Sequence, residues 1–355
     1  MMIIATGGAG FIGSNFVRNW LRTKNESIIV IDSLTYAGNL DNLSDSMSNK
    51  DLQFFEGNIS DSKLVDEILM STKPRAILHF AAESHVDRSI ESPIAFIESN
   101  IIGTYQLLES SKKYLKNLSS TANESFRFIH ISTDEVFGSL KSKEFAFTES
   151  SQYRPNSPYA ASKAASDHLV RSYFETYGIQ SIITHCSNNY GPYQFPEKLI
   201  PLCIIKALSG QPLPVYGDGN QVRDWIHVLD HVNALVTVLD CGVPGQTYNI
   251  GGSNERKNIE VVNLICTILD QKKPMISGQT YLNLITYVQD RLGHDRRYAI
   301  NSEKIQKELM WHPLETFESG IEKTIQWYLD NTHWTQRIQS GHYRVHQDPR
   351  LKGDD

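Results

Sequence analysis

The stretch FIHISTDEVFG, residues 128–138, passes from an apolar segment directly into a hydroxyl and two adjacent carboxylates, Thr133, Asp134 and Glu135. Neighbouring carboxylates repel, and where solvent is scarce that repulsion pulls their proton affinities apart. One of such a pair can start ionised and accept a proton while the other starts protonated and donates. Side chains alternate along a strand, so two adjacent acids that work together are expected just past the strand end, where the chain turns. The plainer alternative is a solvated acidic turn.

A second pair lies in NSPYAASKAASDHL, residues 156–169, where Ser157 and Pro158 make a helix cap and first turn. Tyr159 and Lys163 then fall one turn apart on one helical face. A free phenol keeps its proton up to about pH 10, and an ammonium beside it favours the phenolate. Such a tyrosine can take the proton of an alcohol. The spacing alone is common by chance and gains meaning only next to a hydride acceptor.

ATGGAGFIGSN supplies a place for one. Gly7, Gly10 and Gly13 follow an apolar strand and open a helix, and Asp32 ends the next strand. Glycines there let the backbone turn tightly and approach a pyrophosphate, whose charge the helix N-terminus stabilises. Asp32 is expected to accept hydrogen bonds from the adenosine ribose and to repel a 2′-phosphate, which selects NAD over NADP.

The scaffold for these groups is legible in short continuous runs: IIAT from Ile3, IIVID from Ile28, LQFFEG from Leu52, AILHFAA from Ala76, FRFIHIST from Phe126 and SIITHC from Ser181. Apolar strands without alternation, separated by helix-length segments, indicate a parallel sheet covered on both faces. The fold class is α/β, a doubly wound parallel sheet of Rossmann type with a second, smaller lobe for substrate. TYNIGGS around Tyr248 reads as one more strand returning to the main sheet. Phe96, Ile97, Ile101, Tyr105 and Leu108 predict one amphipathic helix from Ile94 to Tyr114, and Phe317, Ile321, Ile325 and Tyr328 a closing one. Residues 1–187, with returning segments near 228–252, form the predicted NAD-binding domain. Residues 188–227 and 253–330 form the second lobe, and 335–355 read as a polar tail.

With 355 residues, 40% hydrophobic and 21% charged, the chain has ample material for a core, and a net charge of −6 speaks against a nucleic-acid surface. No apolar run reaches the length of about 18 that a membrane helix needs, and MMIIATGGAG enters a strand without a basic segment, so a cytoplasmic protein is expected. Cys186, Cys203, Cys241 and Cys266 are scattered without metal-ligand spacing, so they are expected to be reduced core or near-core thiols and no metal is expected.

The segments AAESHVDRSI, STDEVFG, YAASKAASDHLV, NNYGPYQFPEKLIP, YGDGNQVRDWIHVLDH and RLGHDRRYAI occur in this order, and with the glycine loop they make the chain similar to the extended short-chain dehydrogenase/reductase family. The resemblance runs from Met2 to about Tyr328 and is to its NAD-dependent epimerase/dehydratase group. The Asp-Glu pair favours dehydration over epimerisation. What the resemblance implies is NAD as cofactor, dTDP-glucose as substrate and a homodimer built on the helices Ile94–Tyr114 and Pro158–Tyr177.

It further implies catalysis by Thr133, Asp134, Glu135, Tyr159 and Lys163. Tyr159 takes the C4 hydroxyl proton with Thr133 and Lys163 in support, Glu135 removes the C5 hydrogen, and a protonated Asp134 gives its proton to the departing C6 hydroxyl. Cofactor contacts implied are Gly7, Gly10, Phe11, Ile12, Gly13, Asp32, Asn58, Ile59, Ala81, Tyr159 and Lys163. Substrate contacts implied are Ser84, Asp87, Thr133, Asn189, Lys198, Leu199, Arg223, Asn258, Arg291 and His294, with the cations serving the diphosphate. His85 stays outside the catalytic set. Asn58 stands where the family carries Asp, and Leu292 where it usually carries Pro. Rival readings are an epimerase or dehydratase acting on another sugar nucleotide, and an idle dinucleotide-binding scaffold.

Overall fold

The computed structural model describes residues 1–290 and 292–344. Twelve strands are present among them: β1 Met2–Thr6, β2 Ser27–Asp32, β3 Leu52–Glu56, β4 Ala76–His79, β5 Arg127–Thr133, β6 Ser181–Cys186, β7 Asn188–Tyr190, β8 Leu213–Tyr216, β9 Val222–His227, β10 Thr247–Ile250, β11 Glu255–Lys257 and β12 Ile285–Val288. Seven of them make one sheet in the order β10-β6-β5-β4-β1-β2-β3, every neighbouring pair parallel. The run β3-β2-β1-β4-β5-β6 is the doubly wound dinucleotide-binding order, which places a crevice over the carboxyl ends where the winding reverses, between β1 and β4.

Alternate residues of the same strand feed opposite faces. Ile3, Ile28 and Val30 pack with Phe16 and Trp20 of the helix Phe11–Thr23 and with Leu235 and Val238 of Val228–Cys241. Ile4, Ile29 and Ile31 pack on the other side with Leu107, Leu108, Val170 and Tyr173. Burying each such side chain is worth about 1.5–3 kcal/mol, which is why these strands tolerate no polar alternation. The predicted strand at Tyr248 is β10, pairing with β6 from Thr247 opposite Ile183. A second apolar core holds Ile204, Val262, Ile265, Phe317, Ile321 and Ile325, beside the small sheets β11-β9-β7 and β12-β8. The helices Pro158–Tyr177 and Phe317–Asp330 lie where the spacing predicts, each with a side-chain cap, Ser157 to the Ala160 N–H and Thr316 to the Ser319 N–H.

Two expectations change. The segment from Ile94 to Leu115 is helical throughout, but Ile97–Gly103 is a π-helical stretch. The wider turn rotates the face: Phe96, Asn100, Thr104, Leu107 and Leu108 are buried, while Ile97 and Tyr105 are 44% and 40% exposed. The tail expected from residue 335 is a helix, Thr332–Gln339, followed by a turn at His342–Arg344. Trp334, Ile338 and Tyr343 join the second core, Trp334 Nε1 donates to Asn42 Oδ1 at 2.9 Å, and Tyr343 donates to the Tyr36 carbonyl at 2.8 Å. These apolar residues outweigh the polar composition around them; residues 345–355 of the expected tail lie outside the described residues. Among the described residues no helix is long and apolar enough to cross a membrane.

Candidate active site

β5 ends at Thr133, and Asp134–Phe137 turn at once into a single 3₁₀ turn. The Thr133 hydroxyl caps it by accepting from the Glu135 N–H at 3.3 Å. Both acids thus lie beyond the strand. Asp134 is 2% exposed, and its Oδ2 has no hydrogen-bond partner among the described residues. Burial first, then the charges of Glu135 and Asp224, push its carboxyl well above the ordinary range. A solvated acidic turn would show none of this.

The helix Pro158–Tyr177 brings Tyr159 and Lys163 to the same place, and both are buried. Lys163 Nζ donates to the Ile131 carbonyl of β5 at 2.9 Å. Burial lowers its ammonium to about 8, and the charge of Asp167 opposes that shift. Tyr159 departs from the expectation that Lys163 lowers its phenol. Burial, then the charge of Glu135, raise it well above the usual value, and a hydrogen bond from Thr133 only partly offsets them. The reason is that the phenol sits in a low-dielectric pocket beside an anion while the ammonium is turned to a strand carbonyl. Cys186, at the end of β6, lines the same cleft, and burial pushes its thiol up to about 12. Nothing in SIITHC singles it out. All four cysteines are unpaired; Cys241, expected in or near the core, is exposed as the last residue of its helix.

One cleft runs from the glycine loop over the carboxyl ends of the strands to these groups, lined by Gly7, Gly10, Phe11, Ile12, Gly13, Asp32, Asn58, Ile59 and Ala81 on one side. Thr133, Asp134, Glu135, Tyr159 and Lys163 line the other. The glycine loop fits a dinucleotide: a Cβ on Gly13 would stand 2.3 Å from the Gly7 carbonyl oxygen, and Gly10 caps the helix Phe11–Thr23 without any side chain covering its N-terminal amides. Asp32 is held by the Ala9 and Leu34 N–H groups, each at 2.9 Å, and burial nevertheless raises its carboxyl. Asn58 Oδ1 accepts from both the Ser60 N–H and hydroxyl at 2.9 Å, so this oxygen is already engaged in its own turn.

On the substrate side, Ser84, Asn189 and Lys198 line the cleft, and Lys198 Nζ donates to the Ser84 carbonyl at 2.9 Å. Asn189 is turned inward, donating to the Ser187 carbonyl at 3.0 Å with its Oδ1 2.9 Å from His231 Nδ1. Its neighbour Asn188 was not predicted. It also lines the cleft, and its Oδ1 is buried without a hydrogen-bond partner among the described residues.

Arg223, Asn258, His294, Asp87 and Leu199 stand outside the lining. Arg223 on β9 donates to the Asp295 carbonyl at 3.0 Å, lies over the Tyr298 ring at 4.4 Å, and acts electrostatically on Asp134. Asn258 opens the helix Asn258–Lys272 with its Oδ1 buried and unpartnered among the described residues. His294 Nδ1 is 2.5 Å from Asp290 Oδ1, with the Tyr216 ring edge-on at 6.4 Å. Asp87 sits in the first turn of Val86–Glu91, and Leu199 opens Leu199–Leu208, packed on the second core. Arg291 lies outside the described residues.

A doubly wound sheet with a glycine cradle after β1, a buried Tyr159/Lys163 pair and an acid pair after β5 defines a dinucleotide-binding enzyme equipped for both hydride and proton transfer. Residues 4–324 match the family model described as GDP-mannose 4,6 dehydratase, and the chain belongs to that family. It is 54% identical over 345 residues, 97% of either chain, to the dTDP-glucose 4,6-dehydratase of Neisseria meningitidis serogroup B. Its structure is similar to the dTDP-glucose 4,6-dehydratase of Streptomyces venezuelae solved with NAD bound (TM-score 0.87, 43% identity, 95% of this chain and 100% of that one). The dTDP-glucose 4,6-dehydratase of Bacillus anthracis in complex with NAD is similar at TM-score 0.84 and 45% identity, over 95% of this chain and 99% of that one.

Proposed function

We propose that the chain is an NAD-dependent hydro-lyase that converts dTDP-glucose to dTDP-4-keto-6-deoxy-glucose and water. The observation that carries this reading is the buried, proton-retaining Asp134 next to Glu135 in the cleft of Tyr159 and Lys163. The full-length similarity to enzymes of that activity supports it.

NAD supplies the hydride acceptor for C4 and the hydride donor for C6. Gly7, Gly10, Phe11, Ile12 and Gly13 hold its pyrophosphate, Asp32 its ribose, Asn58 and Ile59 its adenine end, and Ala81, Tyr159 and Lys163 its reactive end. Tyr159 takes the C4 hydroxyl proton, with Thr133 sharing the hydrogen bond that offsets part of the rise in the phenol's own proton affinity and Lys163 held one turn away on the same helix. A C4 ketone makes the C5 hydrogen acidic, and Glu135 removes it. Asp134 gives its proton to the C6 hydroxyl as water leaves, and Glu135 returns a proton to C5. Ser84 faces the hexose, with Asp87 on the following helix outside the cleft lining. Lys198, Arg223 and Arg291 serve the diphosphate, with Asn188 more favourably placed than Asn189 to reach the substrate. Leu199, Asn258 and His294 approach the nucleotide.

In this reading residues 1–187 with 228–252 bind NAD, and 188–227 with 253–330 bind the sugar nucleotide. A homodimer is supported by exposed Ile94, Ile97, Ile102, Tyr105 and Tyr177 on the two helices named for it. Four unpaired cysteines support a cytoplasmic location.

Purified protein incubated with dTDP-glucose should yield a product lighter by one water, with no stoichiometric build-up of reduced nicotinamide, and should leave UDP-glucose largely unreacted. A product of unchanged mass would make the chain an epimerase instead.

A further inference from the structure

The helix of Tyr159 and Lys163 carries a third buried ionisable group one turn further on. Asp167 is 1% exposed. Its Oδ2 accepts from the Ser132 hydroxyl and the Tyr153 hydroxyl, each at 3.0 Å, and lies 3.0 Å from His185 Nε2. Its Oδ1 lies 3.2 Å from His130 Nε2. Burial works against its charge, yet the His130 and His185 contacts prevail and leave the carboxyl well below the ordinary range. A carboxylate so supplied with donors is an ion, and an ion this deep is destabilising unless it has an opposite charge nearby.

Lys163, buried one turn earlier on the same helix, is the cation that interacts with it, through space and without a direct ion pair. Tyr159 and Asp167 lie one turn to either side of it on its own helix, and Asp167, His79 on β4, His130 on β5 and Cys186 on β6 are the ionisable groups that interact with it. Burial keeps both histidines neutral, His130 at about 4, and keeps the Cys186 thiol protonated. Asp167 is thus the anion among the described residues that acts on the ammonium. It also reaches across to Ser132, the residue immediately before Thr133, Asp134 and Glu135.

We propose that Asp167 is a positioning residue: its buried carboxylate holds Lys163 as an ammonium ion and, through Ser132, clamps the end of β5 that carries Thr133, Asp134 and Glu135 against the helix that carries Tyr159. The two halves of the site, one on a strand end and one on a helix, are thereby tied at their base. The clamp serves the reaction proposed above, but its charge effect does not depend on which substrate is turned over.

The test is the pH dependence of Lys163 acylation in the full-length protein, read by peptide mass spectrometry, together with the pH profile of kcat on dTDP-glucose. Removing an anion disfavours the ammonium, so in Asp167→Asn the labelling midpoint and the alkaline limb of kcat should both move down by about one pH unit or more. Ser132→Ala keeps the charge and loses the clamp: kcat should fall on the order of tenfold with midpoint and limb unmoved. A midpoint in Asp167→Asn equal to wild type overturns the proposal, as does full kcat in Ser132→Ala. Should Asp167→Asn not fold, Asp167→Glu takes its place; it keeps the charge, so a midpoint that moves in it sinks the proposal and an unmoved midpoint with lowered kcat upholds it. Wild type that labels normally yet dehydrates nothing would discard the reaction and leave the labelling result to judge the charge pairing.

Discussion

At Asp134 a carboxyl sits with one oxygen unpartnered among the described residues, and burial, then the charges of Glu135 and Asp224, raise its proton affinity well above the ordinary carboxylate range. An acid whose proton affinity is raised by folding lends stability that is complete below the ordinary carboxylate range and lost as pH rises through the raised value. Asp134→Asn keeps the shape and removes that loss. Thermal unfolding should therefore shift in favour of the variant by roughly 1–2 kcal/mol at mildly alkaline pH and by little in acid, while dehydration falls by about a hundredfold or more. Equal stability at both pH values would mean that the carboxyl is not strained, and retained turnover that it is not the acid. The acid pair and the Tyr159/Lys163 pair were legible because residue type and spacing carry their chemistry. Asn188 was not: two adjacent asparagines look alike in sequence, and only the direction of β7 sends Asn189 to His231 and leaves Asn188 toward the cleft.

Among the elements, the glycine loop has a geometry that admits little change. Gly7 has φ +69°, in the left-handed region, and a Cβ there would stand 2.6 Å from the Ala81 nitrogen. Gly13→Ala would set a methyl against the Gly7 carbonyl and push the loop out of shape. The variant should fold but bind NAD more weakly by about 1–3 kcal/mol, measured by titration calorimetry beside a thermal melt. Unaltered NAD affinity would show that the loop gives way freely. Strands and helices were readable because continuous apolar runs, the 3.6-residue apolar spacing and, for the helix Pro158–Tyr177, Ser157 before the periodic stretch act locally. The π-helical stretch at Ile97–Gly103 was not, since an apolar residue serves equally on a buried or an exposed face and the widened turn depends on packing against the helix Pro158–Tyr177. The buried segment 332–344 was missed for a related reason: three anchors, Trp334, Ile338 and Tyr343, suffice among polar neighbours.

For the whole molecule, the homodimer proposed above would cover the exposed apolar residues on the helices around Ile97 and Tyr177. Ile97→Lys, far from the acid pair in sequence, should convert a dimer to a monomer in sedimentation; a wild-type monomer would contradict the dimer directly. In the proposed reaction one cleft takes hydride from a sugar, expels water and gives the same hydride back, so that the cofactor is regenerated at each turnover. dTDP-glucose deuterated at C4 tests it most directly. The product should be lighter by one water and keep its deuterium, now at C6, as located by NMR. Deuterium lost to solvent, or found still at C4 in a product of unchanged mass, would contradict it.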